Sequence, residues 1–499
     1  MPTTIDSSTA GPASVRFAQR PDRNLFAGLS APRAVALGVC ILAVAAALTL
    51  SGPVAGLIAA VGVSPLAGAA MLTLDGRALI EWAPVAVHFV WRGCCGQLLF
   101  LAQITPSRPR PAGTLPLPGD AARLRVLQSH DGSAIIHDPY LDCWTAVAAV
   151  HGDGFLTADP DDQDAATAGW GRGLAAIAAD GQIGRIQILH TNRPDLGSAL
   201  RTVATRGMSR SLSEKAGAAY TQTIDQAPPW WRHDTLVAIT LTGKAAHAAI
   251  RRAAHHTGTA TGADRVLSAH RDAIPDTLAP ADVTVDSWLT PGDLARLIRD
   301  AYDPVSTPLR ETHPHPDADP DADPDPTVVA AGPVAVQETW AHLHTDTAWH
   351  TTVWIAQWPR AETHPAFLAA LILPACAATS LTLLYEAVPT PTALRQIGRD
   401  KTAQASDGAL RRRLGRLDTA AQAARETDTA QREADIAAGH VDMRHTGLIT
   451  VTAGDPDALR DAVTRIRQAA AAAGCDTKVL YGQQLQAFHA ATLPLTRGL

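Results

Sequence analysis

The stretch "RAVALGVCILAVAAALTLSGPVAGLIAAVGVSPLAGAAMLTLD" (Arg33–Asp75) holds 41 residues without an Asp, Glu, Lys or Arg between its two terminal charges. A helix needs about 20 apolar residues to cross the hydrocarbon core of a bilayer. The run is too long for one crossing and suits two. Ser51-Gly52-Pro53 sits in its middle, where Gly and Pro favour a tight turn. The spacing predicts helices at Ala34–Leu50 and Val54–Leu74, with Gly38, Gly56, Gly62 and Gly68 as small residues that let helices approach. Ala43-Val44-Ala45 and Ala45-Ala46-Ala47 resemble signal-peptide cleavage sites, but a long polar region precedes the apolar core and a second apolar segment follows at once. Arg16, Arg20, Arg23 and Arg33 before the run, and Arg77 and Arg92 after it, place both ends of a hairpin in the cytoplasm by the positive-inside rule.

Working outward, "GRALIEWAPVAVHFVWRG" (Gly76–Gly93) carries Trp82 and Trp91 among apolar residues. They suit either the headgroup level or ordinary packing against the rest of the chain. Adjacent Cys94 and Cys95 follow. The other cysteines, Cys40, Cys143, Cys376 and Cys475, form no C-x-x-C, so a thiol zinc or redox signature is missing.

The remainder has the composition of a globular protein. Over the whole chain charged residues make up 18% and the net charge is −6, which gives no general attraction to nucleic acid. The 42 basic residues comprise 4 Lys and 38 Arg, a genomic bias rather than a functional one. "ETHPHPDADPDADPDPT" (Glu311–Thr327) alternates Asp and Pro, cannot bury a core and reads as an extended linker. It lacks the Gly and distal Glu of a calcium loop.

On either side, strand-like and helix-like segments alternate. The strand-like ones are Cys143–Val150, Ile183–Thr191, Asp234–Thr242, Trp349–Pro359, Ser380–Val388 and Thr446–Ala453. Helix starts are marked by a capping box from Ser211 to Glu214, by Asp159-Pro160, by Thr290 with Pro291 and Asp293, and by Asp455-Pro456. A long helical stretch runs over 392–438, with Gly408 and Gly415 as interruptions. The expected fold class is α/β. A transmembrane hairpin (34–74) follows a cytosolic tail (1–33), and a juxtamembrane segment (75–127) follows the hairpin. Next come a first cytosolic α/β domain (128–308), a disordered linker (309–328) and a second α/β domain (329–499). Alternation of this kind predicts two βαβ-type sandwiches with mixed sheets, and a cryptic duplication is compatible with the rhythm.

No catalytic constellation emerges. The sole Gly-Lys pair, Gly243-Lys244, has Ala238 where a phosphate loop needs Gly and Ala245 where it needs Ser or Thr. "HLHTDTAWH" offers His342, His344, Asp346 and His350. Its H-x-H-x-D resembles half of the metal motif of metallo-β-lactamase-fold hydrolases, but Thr347 stands where a further His belongs. "RRRLGR" (Arg411–Arg416) suits phosphate or acidic lipid. Asp418, Glu426, Asp428, Glu433 and Asp435 follow it, and such mixing marks a solvated helix face. No catalytic, cofactor or metal residue is therefore assigned.

Several phrases together resemble an actinobacterial membrane protein family grouped with EccE, a type VII secretion component. They are the double apolar segment, "GRALIEWAPVAVHFVWR", "WTAVAAVHGDGFLT", "LTPGDLARLIRDAYDP", "AVQETW" and "VLYGQQLQAFHAATLPL". The resemblance implies two membrane helices, a cytosolic α/β region without enzymatic site, and a scaffold role beside other membrane subunits and a separate motor ATPase in an oligomeric complex. The C-terminal block, ending in Phe488, Leu493 and Pro494, is also similar to the non-ATPase N-terminal part of conjugative type IV secretion ATPases. That similarity implies a motor-less subunit of a transfer apparatus. A metal-dependent hydrolase using His342, His344 and Asp346 is the third reading.

Overall fold

The computed structural model describes residues 24–26, 29–74, 76–102, 113–195, 213–225, 230–304, 331–373, 377–413, 415, 417 and 420–498. Most of the 1–33 tail, the Asp/Pro linker at 309–328, Ser211 of the expected capping box, Cys376, Arg416 and Asp418 lie outside the described residues.

A two-stranded ladder, β1 (Asn24–Phe26) with β2 (Leu29–Ser30), leads into the apolar hairpin. Helix α1 (Ala31–Ser51) and helix α2 (Pro53–Met71) turn at Gly52, whose φ of 87° is reached readily only by Gly. Both helices are long and apolar enough to cross a membrane, and only 11% of each apolar window is buried. Gly56 lies against Leu48, where the helices meet, whereas Gly38, Gly62 and Gly68 face open space. A second small ladder, β3 (Thr73–Leu74) with β4 (Arg77–Ala78), turns the chain into α3 (Leu79–Cys94).

The rest is built on one sheet of 13 strands. After β5 (Leu99–Leu101), β6 (Arg125–Gln128) and β7 (Ala134–Asp138) comes a unit of four strands with their helices. Strand β8 (Cys143–Gly152) is followed by α4 (Pro160–Ala178) and β9 (Ile183–Asp195). Helix α5 (Glu214–Asp225) is inserted before β10 (Trp230–Leu241). Helices α6 (Gly243–Ala254) and α7 (Thr259–Leu278) then lead to β11 (Val283–Trp288) and α8 (Pro291–Tyr302). The capping box expected at Thr290 and Asp293 is formed.

The second half repeats this order. Strands β12 (Ala335–Glu338) and β13 (Leu343–Thr345) precede β14 (Ala348–Gln357). The short helix α9 (Ala369–Ile372) leads to β15 (Ala378–Val388). Helices α10 (Thr390–Arg413) and α11 (Ala420–Ala437) are inserted before β16 (Asp442–Ala453). Helix α12 (Pro456–Ala472), β17 (Asp476–Val479) and α13 (Gln484–Thr492) complete it.

The strand order β11-β8-β10-β9 in the first half is matched by β17-β14-β16-β15 in the second. Each is a split βαβ arrangement of the ferredoxin-like kind, with an antiparallel strand slotted between the two strands that a helix connects. The duplication compatible with the sequence rhythm is thus written in the topology. The units meet edge to edge through β9 and β15, paired from Arg185↔Glu386 to Asn192↔Thr379.

Two expectations are corrected here. Mixed sheets were expected, yet every described ladder is antiparallel, because the slotted strand separates each pair of parallel neighbours. Strands of the two sequence blocks also share one sheet instead of forming separate ones.

One face of the sheet is covered by α4, α6, α7, α9 and α12, through cores around Ile186, Ile239 and Leu267 and around Ile449, Val451 and Ile466. The opposite face carries α8 and α13, whose Leu294, Ile298, Tyr302, Leu485 and Phe488 share one core with Leu189 and Leu236. Helices α10 and α11 are buried only at their base, around Val388, Ala393, Ile397 and Ile436. At 1.5 Å per residue, the 24-residue α10 is about 36 Å long.

Candidate functional site

The apolar hairpin is joined to the sheet through α3, and the join is built of aromatic rings around one ion pair. Trp82 is buried against Trp340 (centroids 6.2 Å apart) and edge-on to Tyr481 (5.6 Å). Phe89, two turns later, meets Trp340 edge-on at 5.3 Å, and Trp340 stacks on Tyr481 at 6.3 Å. Such aromatic pairs add roughly 0.5–1.5 kcal/mol each beyond the area they bury. The Arg77 guanidinium lies 5.5 Å from the Trp82 ring and 5.9 Å from Trp354. The Gly482 N–H donates to Trp340 O at 2.7 Å. A Cβ on Gly482 would come within 2.7 Å of the Trp340 ring, and its φ of 69° is left-handed, so glycine is required at this contact.

One turn beyond Phe89, Arg92 is buried and forms a two-pronged pair with Glu338 of β12. Glu338 also accepts the N–H of Leu485, in the first turn of α13, at 3.3 Å. A carboxylate is well placed there, because first-turn N–H groups have no partner within the helix. At the other end of α3, Glu81 pairs with Arg33 of α1 at 3.4 Å. The two charged residues of α3 are thereby committed, one toward the hairpin and one toward the sheet.

Beside this join, a cleft of about 440 Å³ is bordered by His88, Arg92, Gln97, Asp120, Glu338 and Gln486. Asp120 leads from the cleft into a buried polar network. Its Oδ1 accepts from His489 Nδ1 at 2.7 Å, and His489 Nε2 meets the Tyr302 hydroxyl at 2.7 Å. Arg497 bonds Asp120 and, through Nε at 2.9 Å, Asp138. Burial pushes the Asp120 carboxyl up, but the His489 hydrogen bond, the His489 charge and Arg497 outweigh it and hold it at about 2. Burial, and then the Asp120 charge, push the Tyr302 hydroxyl well above the usual tyrosine range. The Asp–His–Tyr chain has the look of a proton relay. Asp120 borders the cleft, Tyr302 and His489 are fully buried behind it, and the chain fastens α8, α13 and the C-terminal segment together.

Gln187 of β9 continues the fastening. Its Nε2 donates to Leu493 O at 3.0 Å and to Thr382 Oγ1 of β15 at 3.2 Å, and its Oε1 accepts the Thr496 N–H at 2.6 Å. The C-terminal segment therefore straddles the seam between the two units.

The residues singled out in "HLHTDTAWH" do not converge. His342 Nδ1 contacts Thr351 Oγ1 at 3.0 Å. His344 stacks on Trp349, directly across the β13–β14 ladder, with centroids 4.3 Å apart. Asp346, at the turn, accepts the N–H groups of Val334 (2.9 Å) and Ala335 (2.8 Å) and pairs with Arg299 at 2.8 Å. His350 is fully buried between Thr452 (2.8 Å) and Tyr302 O (3.2 Å), and burial draws its pKa down to about 3. The His344–Trp349 stack has a twin. His137 lies across the β7–β8 ladder from Trp144, stacked at 4.0 Å. The alternating histidines thus read as one copy of a duplicated packing pair. Among the described residues, no group of three or more His, Cys, Asp or Glu is placed to hold a metal ion.

Of the "RRRLGR" run, Arg411–Arg413 form the last turn of α10, where basic side chains complement the helix dipole. Cys94 and Cys95 are exposed, while Cys40, Cys143 and Cys475 are buried. Sequence reasoning reads Arg92 only as a flanking positive charge and assigns no role to Asp120, Tyr302, Glu338, His489 and Arg497. The available signal was single polar residues inside apolar phrases, such as Arg92 in "FVWRG" and His489 in "AFHAAT". No protein-family model matches the chain, and no curated protein matches it.

Proposed function

We propose that this chain is a non-enzymatic, membrane-anchored scaffold subunit of a specialised secretion machine of the EccE-like, type VII kind. The observation that carries the reading is the continuous path of contacts from hairpin to sheet. The apolar α1–α2 surface, suited to lipid, is tied through Arg33–Glu81, the Trp82–Trp340–Tyr481 rings and Arg92–Glu338 to a two-unit sheet. A tether that served only to keep an enzyme near a membrane would need no such join. A subunit that positions partners relative to the bilayer does. The hairpin crosses the plasma membrane twice with both ends cytoplasmic, in keeping with Arg33 and Arg77 at its base. Partners are other membrane subunits and a separate motor ATPase.

A motor-less subunit of a conjugative, type IV-like apparatus is the second reading. It is favoured by the basic last turn of α10, where exposed Arg412 and Arg413 suit an acidic partner. The test is purification of the tagged chain from native membranes, with mass spectrometry and cross-linking. The scaffold reading expects a detergent-stable complex containing a motor ATPase, and loss of secretion on deletion that the full chain restores. Substrate turnover by the purified chain, abolished by one substitution such as His344→Ala, would sink it. Loss of DNA transfer with intact protein secretion would favour the second reading.

A further inference from the structure

Helix α3 has the reverse of the usual surface pattern. Its charged residues, Glu81 and Arg92, are committed to ion pairs, and Trp82, Phe89 and Arg92 hold it against the sheet side over nearly its whole length. The side it presents outward carries Leu79, Ala83, Val87, Val90, Trp91 and Cys94, which recur at the three- and four-residue spacing of one helix face. Val87 is 69% exposed, Val90 62% and Trp91 66%. A helix on a water-facing surface turns its charged residues outward and its apolar stripe inward. Here both sides are apolar, and the outward one has His88 only at its border.

We infer that α3 lies in the membrane interface, with its Val87–Val90–Trp91 face sunk into the lipid boundary beside the hairpin. This rests on the membrane-anchor reading above and adds a third lipid-facing element to it. Lipid is the occupant for three reasons. The face continues the exposed apolar surface of α1 and α2, against both of which α3 packs. The helix starts at the hairpin's base, fixed there by Arg33–Glu81 and by Arg77 over Trp82. The face also carries an exposed Trp, a residue that interfacial helices place on their lipid side. Exposed Leu99 and Leu101 of β5 extend the patch past the helix end. In this arrangement the sheet is held against the bilayer at a fixed attitude.

The test uses the full chain in phosphatidylglycerol/phosphatidylethanolamine vesicles, with Cys94, Cys95 and Cys376 replaced by serine. An environment-sensitive dye is attached in turn at Val87→Cys, Val90→Cys, Leu57→Cys in the hairpin and Tyr140→Cys on the sheet side. Dyes at 87 and 90 are expected to be quenched strongly by lipids carrying a nitroxide near the headgroup and weakly by aqueous iodide, matching a burial depth of about 5–10 Å. The dye at 140 is expected to show the opposite. If 57 is quenched by lipid while 87 and 90 respond only to iodide, α3 is not interfacial, though the anchor stands. If 57 also responds only to iodide, both readings fall. Protection of 87 and 90 from both quenchers would mean that protein, not lipid, covers the face, and would overturn the inference.

Discussion

Tyr302 and His489 meet at 2.7 Å, and each belongs to the helix that follows the fourth strand of its own ferredoxin-like unit. His489 Nδ1 is bonded to the Asp120 carboxylate and Nε2 to the Tyr302 hydroxyl. The bond fastens the two units on the face opposite the main helical layer. Tyr302→Phe leaves a buried nitrogen without a partner, so a loss of about 1–3 kcal/mol is expected. Urea unfolding of the full chain in detergent measures it. Combining Tyr302→Phe with His489→Leu is expected to cost less than the sum of the two single changes.

Arg92→Met is expected to be more damaging. Glu338 would remain buried and charged, with only the Leu485 N–H for company, at a cost of roughly 3–5 kcal/mol. Adding Glu338→Leu to Arg92→Met should recover a substantial part of the loss, because a buried ion pair is often replaceable by apolar packing. Thermal unfolding of both variants in detergent separates the two outcomes. Equal loss in single and double variants would contradict the account.

The pH dependence has a defined sign. Native His350 gives up its proton until the pH falls to about 3, whereas the unfolded chain takes one up near 6.5. The stability it contributes is present above pH 6.5 and is lost progressively as the pH falls below that. Asp120, lowered from 3.8 to about 2, adds a further loss below pH 3.8. His350→Gln is therefore expected to flatten the acid limb of stability between about pH 6.5 and 4, and Asp120→Asn the limb below it, when denaturant midpoints are followed against pH.

His137→Ala and His344→Ala remove twin stacks and are expected to cost similar amounts, about 1 kcal/mol each. Metal content measured by elemental analysis is expected to be the same in His344→Ala as in the parent. Stoichiometric zinc lost specifically on His344→Ala would revive the hydrolase reading.

Most elements were legible where local chemistry is decisive. Thr290, Pro291 and Asp293 announce α8, Asp455 and Pro456 announce α12, and Gly52-Pro53 announces the hairpin turn. The pairing of strands was not legible. A slotted antiparallel strand leaves the same βαβ rhythm in the sequence as a parallel sheet, so β8-α4-β9 could not reveal that β10 lies between its strands. Helix α7 was missed because Gly262 and scattered Thr weaken its helical pattern. Gly262 is nonetheless needed, since a Cβ there would lie 2.5 Å from Ile250 O of α6. At the candidate site, His342, His344 and Asp346 drew attention through spacing along a strand, which says nothing about the Trp349 ring opposite. Asp120, Tyr302 and His489 lie far apart in sequence, and only the fold brings them together.

The join of β9 to β15 also bears on solubility. Each ferredoxin-like unit alone would end in an open strand edge, with Ile188 and Leu383 among its residues. Such long unpaired edges recruit other chains. Fusing the two edges within one polypeptide removes both hazards at once and leaves only short strands, β5, β6, β11 and β17, at the described edges of the sheet. Cutting the chain between the units would restore the hazard. Fragments holding one unit each are best suited to co-expression, where each supplies the edge that the other lacks.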